Sequence, residues 1–145
     1  AALRIQTTGI FIMTHVILNL PGDNVGDVIE TSKILSVMNN DLVKIHSLYI
    51  AKETEMARLY ESGQLDICSN GGLFPALENV LEYLSPNIAV ERLFSRIPEK
   101  DALFSNWQTS WWKLLDEFCA YMEEEKSFQG KKCDYMNGAA LKTLF

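Results

Sequence analysis

Ile, Phe, Val and Thr dominate residues 9–18, and this run predicts a buried strand. Pro21 and Gly22 end it, and Asp23 or Asn24 can cap a following helix. In that helix Val25, Val28, Ile29, Leu35 and Met38 recur at helical spacing, with Asp27, Glu30 and Lys33 on the other side. Asn39-Asn40-Asp41 breaks it, and residues 42–50 read as a second strand. Thr54 caps a short helix through Tyr60 that Gly63 ends, and 64–72 is a loop. Residues 73–84 form another amphipathic helix, with Pro75 tolerated in its first turn. Past the Ser85-Pro86-Asn87 turn, residues 88–94 are a third strand and 96–105 a long loop. A long helix over 107–125 carries the stripe Trp111, Leu114, Leu115, Phe118 and Met122. From Ser127 the chain turns polar, so 1–126 reads as the folded body and 127–145 as a partly disordered tail.

Strands that alternate with helices imply an α/β fold with a parallel sheet and right-handed crossovers. Three such strands cannot close a barrel, so the sheet is open or another segment completes it. Chemistry in α/β sheets sits at the carboxyl ends of strands, here 19–23, 49–52 and 94–96. Side chains alternate along a strand. Phe11, Met13, His15, Ile17 and Asn19 share one face of the first strand, Lys44, His46 and Leu48 one of the second, and Val90, Arg92 and Phe94 one of the third. The helices suit the opposite sets Ile10, Ile12, Val16, Leu18 and Val43, Ile45. His15, Asn19, Lys44, His46 and Arg92 then project from the uncovered face. A solvated face can carry such groups without function. Both histidines of the chain falling on it favours a polar site, where imidazole can bind or move protons near neutral pH.

Composition narrows the class. The chain has 145 residues, 48% hydrophobic and 22% charged, enough for one domain with a real core. A net charge of −6 gives no support to a nucleic-acid surface, although a tRNA held mainly by other parts of a larger protein stays open. The apolar run over 9–20 is too short and too polar to span a bilayer, so no membrane partner is expected. Nothing resembles a secretion signal, so the expected location is cytoplasmic. Cys68, Cys119 and Cys133 are scattered, fit no disulfide framework and no CxxxCxxC pattern, and Cys119 falls on the apolar side of its helix. Neither GxGxxG nor GxSxG is present. Trp111 reads as core and Trp112 as off the stripe.

The run His15-Val16-Ile17-Leu18-Asn19-Leu20-Pro21-Gly22-Asp23 resembles the fifth-strand motif of radical S-adenosylmethionine (SAM) enzymes. Ile17 stands at the motif's Ile position and Asn19 at its second Gly position, while His15 departs from the first Gly. Lys44-Ile45-His46-Ser47-Leu48-Tyr49, the stretch from Glu53 to Gly63, Val90-Glu91-Arg92-Leu93, Ser105-Asn106-Trp107, Trp111-Trp112-Lys113 and Gln129-Gly130-Lys131-Lys132 resemble, in that order, an uncharacterised bacterial subfamily. That subfamily is related to the radical-SAM domain of the elongator acetyltransferase. The likeness runs from about Gly9 to Cys133, and residues 136–145 match nothing.

The resemblance implies parallel β/α units forming the C-terminal half of a partial (β/α)6 radical-SAM barrel, with a long C-terminal helix. It implies SAM and a [4Fe–4S] cluster in the full-length protein, the cluster held by a CxxxCxxC loop that this chain lacks. The isolated chain is accordingly expected to carry no cluster, no metal ligands and no activity. Ile17, Asn19 and Gly22 are placed on the SAM side, with Tyr49, Ile50 and Ala51 near the adenine. His15, Lys44, His46 and Arg92 are placed to orient substrate or an anionic group. The implied partner is the N-terminal half of the same protein, and the isolated fragment is expected to form a homodimer. The alternative is a freestanding α/β module that binds a partner chain through its polar sheet face.

Overall fold

The computed structural model describes residues 5, 7–65, 67 and 70–136. A parallel sheet in the order β1-β2-β4 is built from β1 (Met13–Leu18), β2 (Leu42–Ser47) and β4 (Ala89–Arg92). Helices α1 (Val25–Val37) and α3 (Asn70–Tyr83) pack on each other, and α4 (Trp111–Glu124) leans on α3. A second sheet pairs β3 (Tyr49–Ala51) antiparallel with β5 (Ala102–Ser105), with α2 (Glu55–Glu61) beside it. This is the α/β architecture with parallel strands and a C-terminal helix that the periodicity implied.

Local chemistry explains the boundaries. Asn24 caps α1 by accepting from the Gly26 N–H at 2.7 Å, and Asp27 accepts in return from the Asn24 N–H at 2.9 Å. The break after α1 also fastens β1: Thr14 donates to the Asn40 side chain at 2.8 Å, and the Ile12 N–H donates to Asp41 at 2.8 Å. The core joins Leu18, Val43 and Ile45 to Leu77 and Leu84 of the helical layer, and Phe118 meets Phe74 and Phe94 there. One sheet face is thereby buried and the other is not. Phe11 is 78% exposed, and Met13 and Ile17 46% each.

Several expectations need correction. The first strand begins at Met13, and Ile10 is exposed instead of lying under the helices. The stretch expected as one strand over 42–50 is two, because the chain turns at Ser47–Leu48 and enters the second sheet. Leu48 is consequently buried instead of standing on the open face. The 96–105 loop contains β5. The long helix starts at Trp111, since Asn106, Trp107 and Gln108 hold φ of 49°, 50° and 59°, a left-handed run that no right-handed helix can include. Cys119 is exposed, one position past the buried Phe118, while Cys68 lies outside the described residues.

Residues 127–136 do not fray. Glu82, 1% exposed, receives Ser127 at 2.8 Å and pairs with Lys131 at 3.2 Å and with Lys132. Gln129 donates to the carbonyls of Ser85 and Ile88 at 2.8 Å each, and the Gly130 N–H donates to the Leu81 carbonyl at 2.9 Å. Gly130 has φ +84°, and a Cβ there would stand 2.9 Å from Pro86, so the close approach requires glycine. Of the expected tail, 137–145 lies outside the described residues.

Candidate functional site

The uncovered face carries an ordered row of polar side chains. Register places His15 beside Lys44 and Lys44 beside Arg92, so one residue from each strand stands in line. His46, opposite Ile17, is one pleat nearer the carboxyl ends. Its ring lies 5.3 Å from that of His15, tilted by 30°. The four expected side chains therefore share one face. Lys44 lies in the row behind His46, set back within β2, while Arg92 in the same row is the last residue of β4.

A bulge puts Arg92 there. Val43 pairs with Val90, but Lys44 pairs with Arg92, leaving Glu91 as an extra residue. Simple alternation had placed Val90, Arg92 and Phe94 on one face. Val90 and Phe94 instead belong to the core side, and the bulge turns Arg92 the other way. Glu91 meets Lys44 at 2.9 Å. That hydrogen bond from Lys44 holds the Glu91 carboxyl below the usual carboxylate range.

Electrostatics on the face favour neutral imidazole at His46. Burial lowers its pKa, and the charges of His15, Arg92 and Lys44 lower it further, against a smaller opposing pull from Glu91. Among the described residues three buried side-chain nitrogens lack a hydrogen-bond partner: His46 Nε2 and Arg92 Nε from this face, and Asn19 Nδ2 from the turn after β1. Asn19 holds φ 64° in the turn after β1.

At the carboxyl ends lies a cleft of about 490 Å³, lined by His15, Ile17, Leu20, His46, Tyr49, Ala51, Thr54 and Met56. It unites Ile17, Tyr49 and Ala51, three of the six residues placed on the SAM side. Ile50 is fully buried and outside the cleft wall, and Asn19 and Gly22 sit in the adjoining turn and not in the wall. Among the described residues no group of three or more His, Cys, Asp or Glu could hold a metal ion. The cleft is large enough for a nucleoside-sized ligand, and the two described cysteines, Cys119 and Cys133, do not supply the three thiolates of an iron–sulfur cluster. No described helix is long and apolar enough to cross a membrane.

Beneath the site is a buried network that sequence reasoning missed. Ser47 Oγ donates to Asn106 Oδ1 at 2.5 Å and accepts from the Ser95 N–H at 3.1 Å. Asn106 Nδ2 donates to the Ser95 carbonyl at 2.9 Å, and Ser95 Oγ donates to the Ser47 carbonyl. These bonds tie the ends of β2 and β4 to the turn before α4. Ser47 falls in an apolar run and Asn106 beside a tryptophan, the one signal that could have marked them. Arg96, after β4, stacks its guanidinium 3.7 Å over Trp111.

The model of the family described as "Radical_SAM C-terminal domain" matches residues 40–124. The uncharacterised protein MJ0486 of Methanocaldococcus jannaschii is 29% identical over 125 residues, covering 86% of this chain and 39% of that protein. The uncharacterised protein YtqA of Bacillus subtilis is 27% identical over 128 residues, 88% of this chain and 40% of its own length. The relatives thus reach beyond bacteria, to an archaeal genus. This chain spans about two fifths of their length. In structure it is similar to the archaeal Methanocaldococcus infernus Elp3 with an N-terminal deletion, at TM-score 0.66 and 16% identity, over 86% of this chain and 29% of that one. The last likeness concerns the fold alone.

Proposed function

The chain belongs to the Radical_SAM C-terminal domain family, and from that membership we propose that it forms the C-terminal part of a radical-SAM iron–sulfur enzyme, completing the barrel and lining its SAM and substrate pocket. One observation carries the reading. A three-stranded parallel sheet leaves a face bare on which Met13 and Ile17 are 46% exposed each and a row of ionisable groups stands beside a cleft. Parallel sheets are covered on both faces in nearly all proteins. The N-terminal part of the same protein, bearing the cluster loop, is the proposed cover.

When bound, the cluster and SAM supply a 5′-deoxyadenosyl radical, and that chemistry is the cofactors' own. The chain's part is to bind, orient and exclude water. Ile17 and the cleft wall of Tyr49 and Ala51 give an apolar surface for an adenosine moiety. Asn19 and Gly22, in the turn after β1, shape the same side. His15, Lys44, His46 and Arg92 face the substrate. Neutral His46 can accept a proton at one ring nitrogen and donate at the other.

The test uses the full-length protein, reconstituted anaerobically with iron and sulfide. Labelled SAM should bind, and Ile17→Arg should weaken binding about tenfold or more, a loss of about 1.4 kcal/mol. Unchanged SAM affinity in a folded Ile17→Arg variant would reject the assignment. The isolated chain should take up no cluster. Stoichiometric incorporation that depends on Cys68, Cys119 or Cys133 would contradict that.

The bare face also sets the behaviour of the isolated chain. It should self-associate, most simply as a two-fold dimer that buries at least ~1,000 Å² through sheet faces or edges. Sedimentation at micromolar concentration checks this, and a monodisperse monomer would instead favour the freestanding module.

A further inference from the structure

We propose an oxyanion subsite at the inner edge of the cleft, in which Arg92 from the row behind and His46 from the cleft wall, flanked by Lys44, take one carboxylate or phosphate group. The inference rests on the reading of this face as the inside of a radical-SAM barrel. It goes beyond that reading in naming the chemical class of the group recognised.

The unmet hydrogen-bonding atoms point to it. Four buried side-chain atoms among the described residues lack a hydrogen-bond partner: Asn19 Nδ2, His46 Nε2, Arg92 Nε and Glu82 Oε2. Glu82 Oε2 faces the Lys132 ammonium, so its charge is met. Of the other three, His46 Nε2 and Arg92 Nε belong to side chains on the open face, and Asn19 lies in the turn after β1. Arg92 Nε can only donate, so what satisfies it is an acceptor. A guanidinium matches carboxylate or phosphate oxygens in a planar fork better than any neutral acceptor.

Charge agrees. The chain as a whole carries −6, yet the groups facing His46 are His15 from β1, Lys44 from its own strand, and Arg92 and Glu91 from β4. Glu91 is already engaged by Lys44 at 2.9 Å, and among the described residues Arg92 makes no ion pair. The local field is therefore positive with its one acid occupied, which attracts an anion and rejects a cation. The backbone has been bent to achieve this. Were Glu91 paired in the ladder as an ordinary strand residue, Arg92 would point to the core side with Val90. An anion at the row would also oppose the charges that lower the His46 pKa, so binding should strengthen as His46 takes a proton.

Two sources carry such a group, the methionine carboxylate of SAM and the substrate itself. The experiment follows the His46 imidazole resonances of the full-length protein during titration with inorganic phosphate, and in parallel with acetate. A saturable shift is expected, together with a rise in the His46 pKa, as a nearby opposite charge favours the protonated imidazole. Arg92→Gln should weaken phosphate binding at least tenfold, and Arg92→Lys should restore part of it. Should Arg92→Gln fail to fold, the pH series on the unaltered protein still decides, because affinity must rise as pH falls through the His46 titration. No saturable His46 shift with either anion, or equal affinity in a folded Arg92→Gln variant, overturns the proposal. Repeating the titration with SAM bound separates the sources. Loss of phosphate binding assigns the subsite to the SAM carboxylate, and retention assigns it to the substrate. Failure of anion binding while labelled SAM still binds removes the subsite and leaves the barrel reading intact. Anion binding without SAM binding does the reverse.

Discussion

Asn106→Ala is expected to cost about 2–4 kcal/mol of stability, because it strands two buried groups at once, each worth ~1–3 kcal/mol when left unmet. Ser47 Oγ loses its acceptor at 2.5 Å and the Ser95 carbonyl loses its donor at 2.9 Å. Asn106 is 5% exposed, so water cannot replace these bonds without opening the junction of β2, β4 and the turn before α4. Asparagine also tolerates the left-handed conformation, φ 49°, better than alanine does. Asn106→Gly separates the two contributions, since glycine keeps the conformation and loses the bonds. Urea midpoints of the two variants measure both. An Asn106→Ala loss within ~0.5 kcal/mol, the range of an ordinary surface change, would show that the network is not holding the strand ends.

The second large effect lies at the far end of α3. Glu82→Gln keeps the shape of a side chain that is 2% exposed but removes the charge met by Lys131 and Lys132. A loss of about 1–3 kcal/mol is expected, as for a hydrogen bond to a charged group; the lower part of that range is favoured because both lysines are partly exposed and can turn to water. Residues 127–136 should become open to proteolysis. The effect should depend on pH. Burial pushes the Glu82 carboxyl up, but hydrogen bonds from Lys132, Ser127 and Lys131 outweigh it and hold the pKa below a glutamate's ordinary value. A depressed folded-state pKa stabilises at pH above the ordinary value, and the gain vanishes as pH falls through the folded one. The parent and Glu82→Gln should thus differ at neutral pH and converge in acid. A difference that survives unchanged at low pH would sink this account.

Helices were legible in the sequence wherever apolar spacing was regular. Val28 and Leu35 of α1 are buried as their period implied, and so are Leu114 and Phe118 of α4. The sheet was legible to the extent that period two survives, which is why His15 and His46 fall on one face. Failures came where a tertiary contact overrode the local pattern. Nothing local separates residues 42–50 into two strands. The split follows from Ser47 bonding to Ser95 and Asn106, 48 and 59 residues away. Arg92 reached the expected face although the alternation argument that put it there does not hold, since that argument grouped it with Val90. The polar run after Ser127 carries no periodicity, and its docking depends on an acid, Glu82, hidden in a helix that reads as amphipathic. The SAM-side residues were assigned by likeness to a family motif, not by geometry, and the matched family region begins at residue 40, downstream of that motif.

The extra residue at Glu91 makes this part of the protein sensitive to length as well as to identity. Removing Glu91 would leave Arg92 directly after Val90, still on the open face beside Lys44, and would take away the acid that engages Lys44. Every basic side chain of the row would remain, in the same order, and the row would lose its one carboxylate. Related chains can therefore keep the basic side chains of this strand and differ in the charge the face presents, by one residue gained or lost. When such chains are aligned, a gap at this place carries more functional information than a substitution beside it.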